Sequence, residues 1–222
     1  MYSFACDSLK EQYFNFLSNK AFPCVAARAA LSRDHIRVFV ADHMACPKDD
    51  YAIWKFLHSF ADEYRNAGSF FHSAVIIFRG PDTTDEVTFE QYLFQRLHSI
   101  GSIDAQQHKY DKRVSSDPSS KDFSFSVNEE AFYVIGLHPD SSRKARQFQY
   151  PAMVFNPHQQ FEELRKTDSY KKMQKIVRER DIAYSGSVNP MLKDFGQSSE
   201  VFQYSGRNYA NLPLECPLKI RN

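Results

Sequence analysis

Two short apolar segments in the middle of the chain, each stopped by a proline beside a histidine, dictate more about the fold than any other feature of residues 131–165 (AFYVIGLHPDSSRKARQFQYPAMVFNPHQQFEELR). Residues 132–137 are rich in β-branched and aromatic side chains, which favours a buried strand over a helix of the same length. Pro139 has no N–H to continue a ladder, so the strand stops at His138. Asp140, Ser141 and Ser142 then offer oxygens to cap a helix over SRKARQF, which would set Arg143 and Arg146 on one face. Residues 153–155 repeat the arrangement. Asn156-Pro157-His158 ends the second strand, and QQFEELR opens an amphipathic helix carrying Phe161, Leu164, Glu162 and Arg165. Strand ends feeding helix starts point to an α/β fold with its site in the connecting loops.

The rest of the chain supplies the remaining layers. IRVFVA and AVIIF read as further strands, the second a continuous buried run. FSFSV alternates strictly and would pair with FYVIGL through a turn at Asn128. Helical spacing appears over residues 9–19, 47–65, 86–103 and 169–184, the third capped near Thr84. Residues 104–121, with SSDPSSKD, lack periodicity and read as an exposed loop. The expectation is one α/β domain over residues 1–222, with a mixed sheet of four to five strands flanked by helices.

Composition narrows the function. A formal charge of +1 with scattered basic residues gives no field to attract nucleic acid. No apolar run reaches the roughly 20 residues that span a bilayer, and the start MYSFACDSLKEQYF lacks a secretion signal, so a cytoplasmic protein away from membranes is expected. Cys6, Cys24, Cys46 and Cys216 are dispersed without a C-x-x-C spacing, which leaves each a thiol or a ligand. Seven glycines without a phosphate-loop pattern exclude nucleotide fingerprints. Aromatic residues at 15%, 20 of them Phe, suit a pocket for a large flat group and equally an aromatic core. A loop histidine taken alone is usually a spectator; two at strand ends with a basic pair between them indicate a site.

The pieces GLHPDSSRKAR, VFNPHQQFEELR, NPMLKDFG, QYSGR and FPC resemble the YqcI/YcgG family, some members of which are haem-dependent oxygenases that hydroxylate nitrogen in arginine and other guanidines. They run from Phe22 to Cys216 and so cover most of the chain. The resemblance implies haem b, O2, an external electron donor such as a reductase, and a small amino-acid-like substrate. It leaves His138 and Cys24 as rival axial ligands to the iron, His138 preferred because neutral imidazole binds without deprotonation. Arg143 and Arg146 would clamp the propionates, and His158 would provide a distal proton route with Glu162 beside it. Asp194, Glu200 and Arg207 would bind substrate, a carboxylate meeting the cationic nitrogen. Two alternatives use the same residues. One is a non-catalytic haem carrier or sensor; the other is a non-haem iron oxygenase built on His138, His158 and Glu162.

Overall fold

Strand alternation sends successive side chains to opposite faces of a sheet, and here that rule sorts the candidate residues. The computed structural model describes residues 2–82, 84–187, 196–207 and 218. Its strands are β1 (Ile36–His43), β2 (Ser73–Gly80), β3 (Phe125–Val127), β4 (Glu130–Leu137) and β5 (Ala152–Pro157). They form one sheet in the order β1-β2-β5-β4-β3. β1 and β2 run parallel, joined by α3 (Asp50–Ala67), while β5 is antiparallel to both β2 and β4. The mixed α/β sheet expected from the sequence is present, with all five segments as strands. β2 is buried along its length because it is paired on both edges and covered on both faces, which is why AVIIF is continuous rather than alternating. The β3–β4 hairpin turns on Asn128 and Glu129, at φ 53° and 58°, the double left-handed geometry that matches strand twist.

One face of the sheet is covered by α3 and α4 (Glu86–Asp104), where Leu57, Phe89 and Leu93 pack with Ile76, Phe78, Phe132, Val134, Met153 and Phe155. The other face is covered by α1 (Tyr2–Ser18) and α2 (Val25–Ser32), where Tyr13, Leu17 and Ala30 pack with Val75, Ile77, Leu137 and Val154. Near this second layer lie α5 (His158–Arg165) and α6 (Asp168–Ser185), and α7 (Val201–Tyr204) rests against β4. No helix among the described residues is long and apolar enough to cross a membrane.

Two local expectations need correction. SRKARQF forms no α-helix, only a single 3-10 turn over Lys144–Arg146. Arg143 is extended (φ −102°, ψ 119°), and the Arg146 carbonyl accepts from His138 N (3.1 Å) and Phe148 N (2.9 Å), so the segment folds back along the end of β4. The cap of α4 is Asp85 rather than Thr84: Asp85 Oδ1 accepts from Thr88 N at 2.7 Å, satisfying a donor that the first turn leaves open. Residues 105–122 hold no helix or strand, yet Asp111 within them is buried, accepting from Ala131 N at 2.9 Å and pairing with Arg113.

Candidate site: a cavity over the second sheet face

The second face is incompletely filled. A cavity of about 310 Å³ lies between the β4–β5 surface and α1, α2, α5 and α6. Small-molecule sites begin at roughly this size. Tyr133, Ile135 and Leu137 point into it from β4, and Val154 and Asn156 from β5, each set two residues apart as strand periodicity requires. Tyr13, Phe16, Leu17, Phe22 and Ala30 supply an apolar wall from the first two helices and the turn between them. Met173 and Val177 of α6 face it as well, while Ile176 of the same helix is 46% exposed.

Cys24 sits on this wall as the N-cap of α2. Its Sγ accepts a hydrogen bond from Ala27 N at 3.4 Å. Burial pushes the thiol pKa up, against the pull of the Ala27 and Ala26 N–H groups. A proton therefore stays on sulfur unless a metal or cation takes its place. Ala26 and Ala27, which also line the cavity, let a bound group come close to the sulfur.

His158 opens α5 and faces the same cavity, 6% exposed. Its Nε2 lies 3.7 Å from Glu200 Oε1 and 3.8 Å from Glu162 Oε1. Burial, reinforced by the Arg165 and Arg113 cations, holds the imidazole pKa down at about 4. Glu200, 4% exposed, is pushed up to about 8 by burial, although Ser124 and Arg165 ease its charge. At neutral pH the pair is thus an uncharged imidazole beside an uncharged carboxylic acid. Glu162 stands further out and pairs with Arg165.

The remaining candidates have other partners. Arg143 lines the cavity, held by Asp181 Oδ2 (2.7 Å) and the Ser187 carbonyl (2.8 Å). The Arg146 guanidinium donates to the carbonyls of Gly136 (3.2 Å), Tyr204 (2.9 Å) and Gln203 (2.7 Å), binding β4 to α7. Arg207 pairs with Glu90 of α4 at 3.0 Å, and Ser205 donates to the same carboxylate at 2.7 Å. Asp194 and the stretch NPMLKDF lie outside the described residues.

His138 is not brought to the cavity. It follows Leu137, which points to the second face, so its side chain turns to the first; there it stacks on Phe89 of α4, centroids 4.4 Å apart, with no exposure. His138 and His158 also leave antiparallel neighbours, so the strand ends that carry them lie at opposite ends of the sheet. The three ligands His138, His158 and Glu162 therefore do not converge. Among the described residues no three His, Cys, Asp or Glu side chains are grouped to hold a metal ion.

Two cavity residues were quoted within motifs but not singled out by the sequence reading. Gln160 of α5 accepts from His72 N (2.9 Å) and donates to His72 O (3.1 Å), an amide clip that ties α5 to the start of β2. Gln203 accepts from Tyr133 OH at 2.6 Å. The amphipathic pattern of QQFEELR offered a weak signal for Gln160, a polar residue at a helix start. Gln203 opens the QYSGR piece of the resemblance, and only as part of that piece did the sequence mark it.

The family model of the YqcI/YcgG family matches residues 13–219. A Bacillus subtilis (strain 168) protein named "Uncharacterized protein YqcI" is 28% identical over 225 residues, covering 94% of this chain and 87% of the relative. No solved structure matches the chain significantly. The match spans the cavity from Tyr13 of α1 to Gln203 of α7, and the chain belongs to the YqcI/YcgG family.

Proposed function

We propose that the protein is a cytoplasmic haem-dependent monooxygenase that hydroxylates a guanidino or amino nitrogen of a small amino-acid-like substrate such as arginine. The observation that carries this reading is the meeting, in one mostly apolar cavity, of the Cys24 thiol with the His158–Glu200 pair. The donor chemistry suits a haem. Cys24 offers a sulfur ligand at a helix start, where the Ala27 N–H stabilises negative charge on sulfur, and small and aromatic residues flank it. Haem, when bound, would supply the activation of O2, with electrons from an external donor.

The chain's own residues have separate tasks. Cys24 is the ligand this reading takes over His138, because His138 packs against Phe89 on the other side of the sheet. Arg143, on the cavity wall and paired with Asp181, is the cation this reading assigns to a propionate; Arg146 is committed to backbone carbonyls. His158, neutral and buried, can accept and return a proton at Nε2 near the reacting nitrogen. The apolar helices exclude water from that proton's surroundings.

The test is reconstitution with haemin, followed by incubation with arginine, simple guanidines and amino acids under air with a reductant. A Soret band and a product heavier by one oxygen are expected. A protein that takes up no haemin overturns the proposal. One that binds haemin but incorporates no oxygen, and shows no spectral shift with any of these compounds, favours the carrier or sensor.

A further inference from the structure

We propose that Glu200 and His158 form a proton-exchanging seat for a cationic nitrogen: the arriving cation replaces the proton on Glu200, and that proton leaves past His158 and Glu162. The proposal rests on the reading of this cavity as the substrate site and names the groups that hold the substrate's charge.

Glu200 lies on the cavity wall, 4% exposed, and its Oε2 meets no hydrogen-bond donor among the described residues. The groups facing it are His158, Glu162 and Arg165 of α5, Tyr204 of α7, and Tyr110 and Ser124 from the segment before β3. The cation among them, Arg165, is paired with Glu162. The Ser124 and Tyr204 hydroxyls ease a charge on this carboxyl, but burial outweighs them, so it favours keeping its proton or gaining a cation. Without a bound cation it keeps the proton, consistent with its raised pKa of about 8.

A guanidinium satisfies the other condition. Its parallel N–H groups match the two oxygens of a carboxylate, and it carries its charge at every working pH. One positive charge enters as one proton leaves, so the cavity gains no net charge and the penalty for burying an unpaired ion is avoided. The exit is graded. Side-chain exposure rises from 5% at Glu200 to 8% at His158 and 39% at Glu162, in steps of 3.7 and 3.8 Å. Each step is longer than a hydrogen bond, so the transfer requires a side-chain rotation that brings donor and acceptor together. His158, uncharged at rest, accepts the proton from Glu200 and passes it to the Glu162 carboxylate at the mouth.

The test is calorimetric titration of the purified protein with L-arginine and with methylguanidine, in buffers of different ionisation heat. About one proton should be released per cation bound at pH 7, and affinity should rise about tenfold per pH unit up to about pH 8, then level. L-citrulline, which is of similar shape and has an uncharged side chain, should bind at least about 100-fold more weakly. Glu200→Gln should lose both the proton release and the pH dependence; should that variant not fold, the wild-type proton count decides alone. Binding without proton release, a flat affinity from pH 6 to 8, equal binding of citrulline, or no binding of either cation overturns the proposal. A protein that takes no haemin yet releases a proton on binding arginine removes the haem reading and keeps this one. A haem protein that binds arginine without proton release does the reverse.

Discussion

Replacing Arg146 by methionine separates two roles that the sequence alone cannot distinguish. Methionine keeps much of the apolar stem and removes every donor. Arg146 is 7% exposed and its guanidinium supplies donors to the carbonyls of Gly136, Gln203 and Tyr204, so three buried acceptors lose a partner together. Each orphaned group costs roughly 1–3 kcal/mol, offset in part because the variant no longer desolvates a charge. The net expectation is about 3 kcal/mol of lost stability, or about 6–12 °C in Tm for a chain of this size. Neighbouring geometry leaves little room for relaxation: Gly206 passes at φ +86°, and a Cβ there would come within 2.6 Å of Arg146 Cδ. Urea unfolding followed by circular dichroism reads the change as a fall in midpoint at constant m. A midpoint indistinguishable from wild type, with haem uptake weakened instead, would refute this reasoning and return Arg146 to the role of propionate clamp.

Cys24→Ala should abolish the far red-shifted Soret band of a thiolate-ligated ferrous carbonyl complex, and His138→Ala should preserve it; the opposite pattern in the optical spectra would move the ligand across the sheet. Gly136→Ala should destabilise by about 1–3 kcal/mol through overpacking. Its Cβ would fall 2.6 Å from Phe89 Cε1 and 2.7 Å from Leu93 Cδ1, so an unchanged Tm would contradict the packing of α4 on β4. Glu200 has a folded pKa of about 8, above its ordinary 4.5, so the native state holds the extra proton between those values, and the stability this contributes is present below about 4.5 and lost as pH rises to 8. Glu200→Gln should therefore gain on wild type as pH rises from 5 to 8, by at most about 1.4 kcal/mol per pH unit; parallel stability curves would show that Glu200 is already ionised.

The strands were legible because burial imposes local patterns. AVIIF is apolar throughout since both faces of β2 are covered, and FSFSV alternates although all three residues of β3 are buried, its serines serving internal bonds: Ser124 donates to Phe132 O and Ser126 accepts from Asp111 N. Asn128 announced its turn because it tolerates positive φ. The fate of SRKARQF was hidden for the converse reason. Its helical spacing is real, but the tertiary demand for donors at Gly136, Gln203 and Tyr204 draws Arg146 inward and breaks the local preference. Glu200 was legible only through the resemblance, as a carboxylate assigned to the substrate. Its burial beside His158 depends on contacts 42 residues apart (200 − 158), which no local pattern encodes.

What misled the reading of two equivalent histidines was strand direction. A pattern of apolar residues ending in Pro and His specifies a strand end and says nothing about which neighbour it will pair with or in which sense. Had β4 and β5 been parallel, both histidines would have emerged at one edge of the sheet, where open α/β folds place their ligands. They pair antiparallel, with Leu137 opposite Ala152 and Phe132 opposite Pro157. The five-residue offset from Phe132 to Leu137 thus puts the two strand ends roughly 17 Å apart at about 3.4 Å per residue. Parity adds the second separation: Leu137 faces the cavity, so His138 faces α4, while Asn156 faces the cavity and His158 turns into it as α5 begins. A centre needing both imidazoles is therefore forbidden by the register of this pair. A centre on the second face draws instead on residues that α2, α5 and the start of α7 deliver there, Cys24, His158 and Glu200, with His72 from the start of β2 and Asp181 of α6 also on the cavity wall.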